Sequence, residues 1–336
     1  MDKIIRTICY FAENPNSKII ERLNEIEERL SNKGFQIQTK RACIPNMGFQ
    51  ELETKFADNS IFLGTGELSF GDSKKQLGDF LASQNVAFNL DLSSEEIKQK
   101  HAEVLFKIIK ERSEHTFRFT YGFNLPGSSP YYPSAKFDKK GFSIGLQPTN
   151  LAKDCKSLEE WLEKSKNVWN EIVQIFSKEK DFLGIDSSVA PLFDEASLVG
   201  IIKKFGQDFN QSVLSDIYLK VTQFIKSQNP KPVGLCGMML PCLEDSELAK
   251  EYEKGNFSIE RNLFLSLHSG LGVDTYPIGI NEEPNKILGV LKLTQGLSKK
   301  YNKPLSVRFV SDGKTRIGDK SDFNNQYLRD VVIRGL

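Results

Sequence analysis

The sequence predicts an α/β protein: one large barrel-like domain of mostly parallel strands with helices outside. Three observations lead there. Strand and helix signals alternate over nearly the whole length, the pattern of a parallel sheet covered by helices. No long flexible linker interrupts them, so residues 1–336 read as a single domain, with 318–336 a tail that fits no regular element. The alternation also continues too long for a small open sheet, which favours closure.

In order, Ile4 to Phe11 is rich in β-branched and aromatic residues, as a buried strand should be. Ser17 precedes a helix whose apolar positions, Ile19, Leu23, Ile26 and Leu30, fall at helical spacing, and Gly34 ends it. Phe35 to Ile44 alternates as a strand until Pro45. Ile61 to Leu63 and Val86 to Leu90 are short strand candidates, and Ser93 with Glu96 forms a capping box for a helix reaching Arg112. Phe117 to Phe123 and Gly141 to Leu146 read as two strands around a loop containing Pro126, Pro130, Tyr131, Tyr132 and Pro133. Its prolines rule out regular structure.

Ser157 with Glu160 opens a helix to Phe176, and Phe182 to Asp186 is a strand. Helices at about Glu195 to Phe205 and Phe209 to Ile225 follow, then a break at Pro230 and Pro232. Further helices cover Glu244 to Glu253, Ile259 to Leu267 and Pro284 to Lys299, with strands at Leu271 to Asp274 and Leu305 to Val310.

Composition narrows the partners. Lys plus Arg total 45 against 44 Asp plus Glu, so a net charge of +1 gives no electrostatic case for nucleic acid or an anionic membrane. The beginning of the chain lacks a signal-peptide pattern, and no apolar run approaches the ~20 residues that span a bilayer. Cys9, Cys43, Cys155, Cys236 and Cys242 are scattered without a C-x-x-C, as reduced thiols in a cytoplasm would be. His101, His115 and His268 are too dispersed for a zinc triad; the first two read as structural and the last as a helix-end cap. The expectation is a cytoplasmic protein with a small-molecule ligand, homo-oligomerisation being left open.

The candidate chemistry centres on two strand ends that echo each other, Leu183-Gly-Ile-Asp186-Ser187 and Leu271-Gly-Val-Asp274-Thr275. If both strands run parallel in one sheet, Asp186 and Asp274 emerge at its carboxyl edge, where they would bind a divalent cation or act as acid and base. Glu244 and Asp245 could join them as metal ligands. The alternative is that each Asp caps a helix or fastens a turn. Gly234-Leu235-Cys236-Gly237 is a turn able to aim N–H groups at an anion. Cys236 reads either as a nucleophile or, more commonly, as a buried thiol. Arg308 and Arg6 are charged residues inside strands, so each needs an anionic ligand or an internal partner. Tyr131 and Tyr132 read as pocket cover or as loop anchors.

These stretches carry a resemblance to a family called domain of unknown function 711. The matching residues are Ile5-Arg6-Thr7-Ile8, Tyr121 to Pro126, Pro130 to Pro133, Gly184 to Pro191, Gly234 to Gly237 on to Pro241 and Glu244-Asp245, Gly270 to Asp274 with Pro277, and Val307 to Val310 followed by Gly318-Asp319. The resemblance implies an α/β barrel like that of pyruvate formate-lyase and carries no established activity. Glycyl radical enzymes have Arg-Val-x-Gly-aromatic near the C-terminus. The nearest text here, Val307-Arg308-Phe309-Val310, has no glycine, so no glycyl radical is expected. The residues leave open whether the protein is an enzyme acting on a small polar or anionic metabolite or a non-catalytic binding or regulatory protein.

Overall fold

The computed structural model describes residues 3–56, 60–193 and 196–336. The first half of the chain forms β1 (Lys3–Phe11), α1 (Lys18–Ser31), β2 (Phe35–Ile37), β3 (Lys40–Cys43), α2 (Phe49–Lys55), β4 (Phe62–Leu68), α3 (Phe70–Ala82), β5 (Val86–Asp91), α4 (Gln99–Arg112) and β6 (Phe119–Phe123). The second half forms β7 (Gly141–Leu146), α5 (Leu158–Ile175), β8 (Phe182–Asp186), α6 (Leu198–Lys204), α7 (Phe209–Ser212), α8 (Ile217–Gln228), α9 (Ser246–Glu253), α10 (Ile259–Ser266), β9 (Gly272–Pro277), α11 (Pro284–Tyr301) and β10 (Leu305–Val310).

Most strands fall where the sequence places them. The expected strand from Phe35 to Ile44 is two pieces, because Gln38 N–H turns to Ile5 O and the Thr39 hydroxyl bonds Arg6 O. Ser93 bonds Asp91 instead of capping, and α4 begins after Lys98, whose N–H is accepted by His101 Nδ1. The expected start of α6 at Glu195 lies outside the described residues. Helices α2 and α3 are additions, and residues 318–336 lie without helix or ladder strand but bury Leu328, Val331 and Ile333.

All strands join one sheet in the order β8-β7-β1-β3-β4-β5-β6-β10-β9, with β2 beside β1. Neighbours from β1 to β6 are parallel; so are β7 with β8 and β9 with β10. The two sets meet antiparallel at β1/β7 and β6/β10. The Tyr-Pro loop therefore does not join a hairpin. It carries the chain from β6 to β7, five positions apart in the sheet.

The expected closed barrel is corrected here. The ladder is open, with β8 and β9 as its edges. Between them runs the segment 232–241, which makes only single bridges to each side: Ile185 with Pro232, Val189 with Met238, Met238 with Gly270 and Pro241 with Asp274. Proline lacks the N–H that a ladder needs, so a segment bearing Pro232 and Pro241 cannot complete one.

The open sheet is nonetheless strongly curled. Strands β1 and β10 are five positions apart, about 24 Å on a flat sheet at ~4.8 Å per strand. Yet one carboxylate, Glu244, bonds Arg6 of β1 and Arg308 of β10. The curl separates two apolar clusters by strand alternation. Ile8 and Tyr10 face the main core under the helices, whereas Cys9 and Phe11 face inward with Cys43 and Ala135. A register irregularity between Ile5 and Thr7 lets Arg6 also point inward.

Candidate functional site

Inside the curl lies a cavity of about 550 Å³, within the range that holds a small metabolite. Arg6, Arg41, Arg118 and Arg308 line it, together with Glu244, Asp274, His115, Tyr131 and Tyr132. Arg41 and Phe62 reach it from the amino ends of β3 and β4 and Arg118 from just before β6, while Asp274 and Arg308 reach it from β9 and β10 of the oppositely directed set.

The floor is an ion-pair chain. Glu244 Oε2 accepts from Arg6 Nη2 at 3.1 Å and Oε1 from Arg308 Nη2 at 2.6 Å. Arg308 Nε donates to Asp274 Oδ1 at 2.6 Å, and Nη1 to Phe117 O at 3.3 Å. Burial alone would lower the Arg308 pKa, but Asp274 and Glu244 beside it outweigh that and hold it above the ordinary guanidinium value. Arg308 is therefore saturated from within and has its internal partners.

Arg41 and Arg118 are different. Arg41 Nη1 donates to Pro130 O at 3.3 Å, its guanidinium lies 4.9 Å from the Tyr132 ring centroid, and its buried Nε has no bond among the described residues. Arg118 donates to Val86 O at 3.3 Å and Ser83 O at 3.5 Å. Carbonyls satisfy N–H groups without neutralising charge. Neither arginine forms an ion pair among the described residues, and burial pulls both pKa values down to about 10, with Arg6 adding repulsion at Arg41, against the opposing pull of Glu244 on Arg41 and of Glu53 and Glu114 on Arg118. The third lining carboxylate, Glu114, is more than half exposed and bonds Arg112. Four guanidiniums thus share the cavity with one buried carboxylate, Glu244, and one partly buried, Asp274.

Asp186, placed by sequence beside Asp274, does not line this cavity. It is fully buried and holds five donors: Ser129 Oγ and Leu235 N on Oδ2 at 2.8 Å each, and on Oδ1 Ser188 Oγ at 2.6 Å with Ser188 N and Cys236 N at 3.1 Å. Burial pushes its carboxyl above the usual range, with these bonds pulling the other way. The turn at Gly234 to Gly237 does aim N–H groups at an anion, but that anion is the Asp186 side chain. Gly234 has φ +74°, and a Cβ there would lie 2.3 Å from Asp186 Oδ2, so only glycine lets the turn approach. Gly237 N–H continues the contact to Ser188 Oγ at 3.2 Å.

The remaining acids are also engaged. Asp245 caps α9 through Glu247 and Leu248 N–H and accepts Leu198 N–H at the start of α6; burial raises its carboxyl to about 6. Asp186 and Asp274 share no hydrogen-bond partner, and the described residues contain no group of three or more His, Cys, Asp or Glu arranged to hold a metal ion. The set Asp186, Asp274, Glu244 and Asp245 is dispersed over separate tasks. Cys236 is buried, and burial followed by the Asp186 charge pushes its thiol up to about 11, opposite to what a nucleophile needs. All five cysteines are free.

Both tyrosines meet the cavity. Tyr131 Oη donates to Leu146 O at 3.0 Å, fastening the loop, while the Tyr132 ring lies under Arg41. His115, read from sequence as structural, is buried in the cavity wall with Nε2 on Ser83 O at 2.8 Å, and burial lowers its pKa to about 4. Arg41 and Arg118 were legible by the signal that marks Arg6 and Arg308, a charge inside an apolar strand stretch.

A family model described as "Uncharacterised ACR (DUF711)" matches residues 75–324. The chain belongs to this family. The DUF711 match takes in Arg118, Glu244, Asp274 and Arg308, while Arg6 and Arg41 precede it. No curated protein matches the chain. In this DUF711 protein, no described helix is long and apolar enough to cross a membrane.

Removing the charge of Glu244 leaves two buried guanidiniums facing each other. Glu244→Gln is expected to cost about 3–5 kcal/mol in urea unfolding; a loss within error would show that Glu244 does not hold the curl. His115 has a folded pKa of about 4 against an ordinary 6.5, so the unfolded state binds its proton first. Its contribution is complete above pH 6.5 and falls as pH drops toward about 4, by up to ~1.4 kcal/mol per unit. Stability of the wild type minus His115→Gln, measured across that range, should show this slope; a flat difference would place His115 in water.

Proposed function

We propose that the cavity binds a small anionic metabolite, a carboxylate or phosphate, and that Arg41 and Arg118 hold it. The observation that carries this reading is that two guanidiniums line one cavity without forming an ion pair among the described residues, the carboxylates that act on them, Glu244 for Arg41 and Glu53 and Glu114 for Arg118, standing further off. A partly desolvated guanidinium without an ion pair carries a cost that a bound anion would lower. Arg6, Glu244 and Arg308 serve as a rigid, self-neutralised floor. The curled sheet and the segment 232–241 support treating the whole as one barrel-like domain, the arrangement that the resemblance to the pyruvate formate-lyase barrel implies.

Thermal unfolding against a panel of small carboxylates and phosphates at low ionic strength tests the reading. An anion at ~100 times its Kd adds ~2.7 kcal/mol to the folded state. Arg41→Gln and Arg118→Gln should be at least as stable as wild type without ligand, because each removes a partly buried charge that has no ion pair, and should lose the response to anions. Destabilised variants together with no anion response in the wild type would make the two arginines structural and end this reading.

A catalytic version is favoured by Asp274, which lines the same cavity, commits Oδ1 to Arg308 and keeps a side chain 20% exposed. It is placed to take a proton from a bound hydroxyl. Metabolite mixtures followed by mass spectrometry should then show a product with wild type and none with folded Asp274→Asn. Binding without product would favour a non-catalytic sensor.

A further inference from the structure

The last stretch of the chain, which fits no regular element, returns to the cavity as a fastened loop. Lys320 and Val332 form an antiparallel bridge at its base. Inside the bridge, Ser321 N–H donates to Val331 O at 2.8 Å, Val331 N–H to Ser321 Oγ at 2.9 Å and Phe323 N–H to Asp330 Oδ1 at 2.8 Å. Arg329 pins the returning limb, donating from its N–H to Leu243 O at 3.0 Å and from Nε to Ser246 Oγ at 2.7 Å. Residues 324–327 form the tip between these fixed points. All four, Asn324, Asn325, Gln326 and Tyr327, line the cavity. Loop tips held by a rigid scaffold are where binding residues concentrate.

Tyr327 sets where the tip stands. Its ring stacks on Phe117 with centroids 6.0 Å apart, and on Phe193 at 6.2 Å. Phe117 directly precedes Arg118, and the Arg308 guanidinium lies 5.1 Å from its ring centroid. The tip is thereby held beside the charged lining.

The tip itself carries no charge. Thr39 and Asn85, neutral residues elsewhere in the lining, spend their side chains on Arg6 O at 2.8 Å and Ile61 O at 2.7 Å. The amides of Asn324 and Gln326 are exposed and make no side-chain hydrogen bond among the described residues. Each offers two donors and one acceptor. The cavity of about 550 Å³ also far exceeds one anionic group, which fills only a few times the ~30 Å³ of a water. A ligand that fills it has an uncharged body as well as a charged end. A hydrocarbon body would strip both amides of water and return nothing, whereas hydroxyls replace those hydrogen bonds.

Resting on the anion-binding reading above, we infer that residues 324–327 are the specificity-determining contact of the site, and that the anion they select is hydroxylated, as a sugar phosphate or a sugar acid is. The arginines take the charged end, Asn324 and Gln326 take the hydroxylated body, and the stacked Tyr327 ring holds the tip in place.

Calorimetric titration of the full chain tests this with ribose 5-phosphate against butyl phosphate, and gluconate against hexanoate, with inorganic phosphate as the bare head group. The hydroxylated member of at least one pair should bind at least about tenfold more tightly, the worth of two ordinary neutral hydrogen bonds. The pair that shows the difference identifies the head group. Asn324→Ala combined with Gln326→Ala should bring the hydroxylated ligand down to the affinity of its alkyl counterpart and leave inorganic phosphate unchanged. Both side chains are exposed, so this variant should unfold at the wild-type midpoint. Equal affinity within both pairs, or a double variant that still prefers the hydroxylated ligand, would overturn the inference while leaving an anion pocket. No binding of any of the five anions would overturn the anion-binding reading and this inference with it.

Discussion

The curl of the sheet depends on one carboxylate. Glu244 stands between Arg6 on β1 and Arg308 on β10, strands that a flat sheet would keep far apart. Each partner is buried, so breaking either bond leaves a charge with nowhere to go. That requirement fixes where the segment carrying Glu244 must lie, and with it the cavity floor. Asp274 completes the arrangement by occupying the remaining edge of Arg308. The electrostatics of the floor and the shape of the sheet are one constraint.

A second buried acid secures the other side. Asp186 ends β8 and gathers donors from the Tyr-Pro loop, from its own turn and from the Leu235–Cys236 backbone. It ties the segment between the sheet edges to β8, where proline prevents a ladder from doing so. Its repeated sequence context with Asp274 is real, but the outcomes differ because their neighbours differ. Asp274 meets a guanidinium at the cavity, whereas Asp186 meets neutral N–H and O–H groups outside it. Similar strand ends therefore supply one structural hub and one group that lines the cavity.

Much of the α/β architecture is readable from local pattern. Leu305 to Val310 has the bounds expected of it, and Ser157 caps α5 by accepting Glu160 N–H. Helix α3 escapes because Gly71 and Gly78 dilute its pattern, although Ser69 accepting Asp72 N–H and the spacing of Leu77, Phe80 and Leu81 are signals in the text. The open ladder is a long-range outcome, decided by two prolines on a segment whose neighbours are remote in sequence. At the site, looking to strand carboxyl ends finds Asp274 and misses Arg41 and Arg118. That rule presumes strands pointing one way, and here half of them enter the cavity by their amino ends. The Gly234 turn was legible as an anion holder; that its anion is internal depends on a contact with Asp186 that local pattern does not reveal.

The antiparallel junctions at β1/β7 and β6/β10 also bear on how such a cavity obtains its charge. Helices α2, α3 and α4, which precede β4 to β6, end on the side of the sheet where α6, α9 and α11, which follow strands or bridges of the second half, begin. Peptide dipoles give helix amino ends partial positive charge and carboxyl ends partial negative charge. In a sheet with all strands alike, one rim would collect only amino ends and attract anions through backbone alone. Here the two kinds of helix end face the same side of the sheet. The backbone contributions oppose one another in sign, which leaves more of the pocket's charge to side chains. Related sequences could therefore retune, or reverse, what this scaffold attracts by replacing arginines, with no change in the path of the chain.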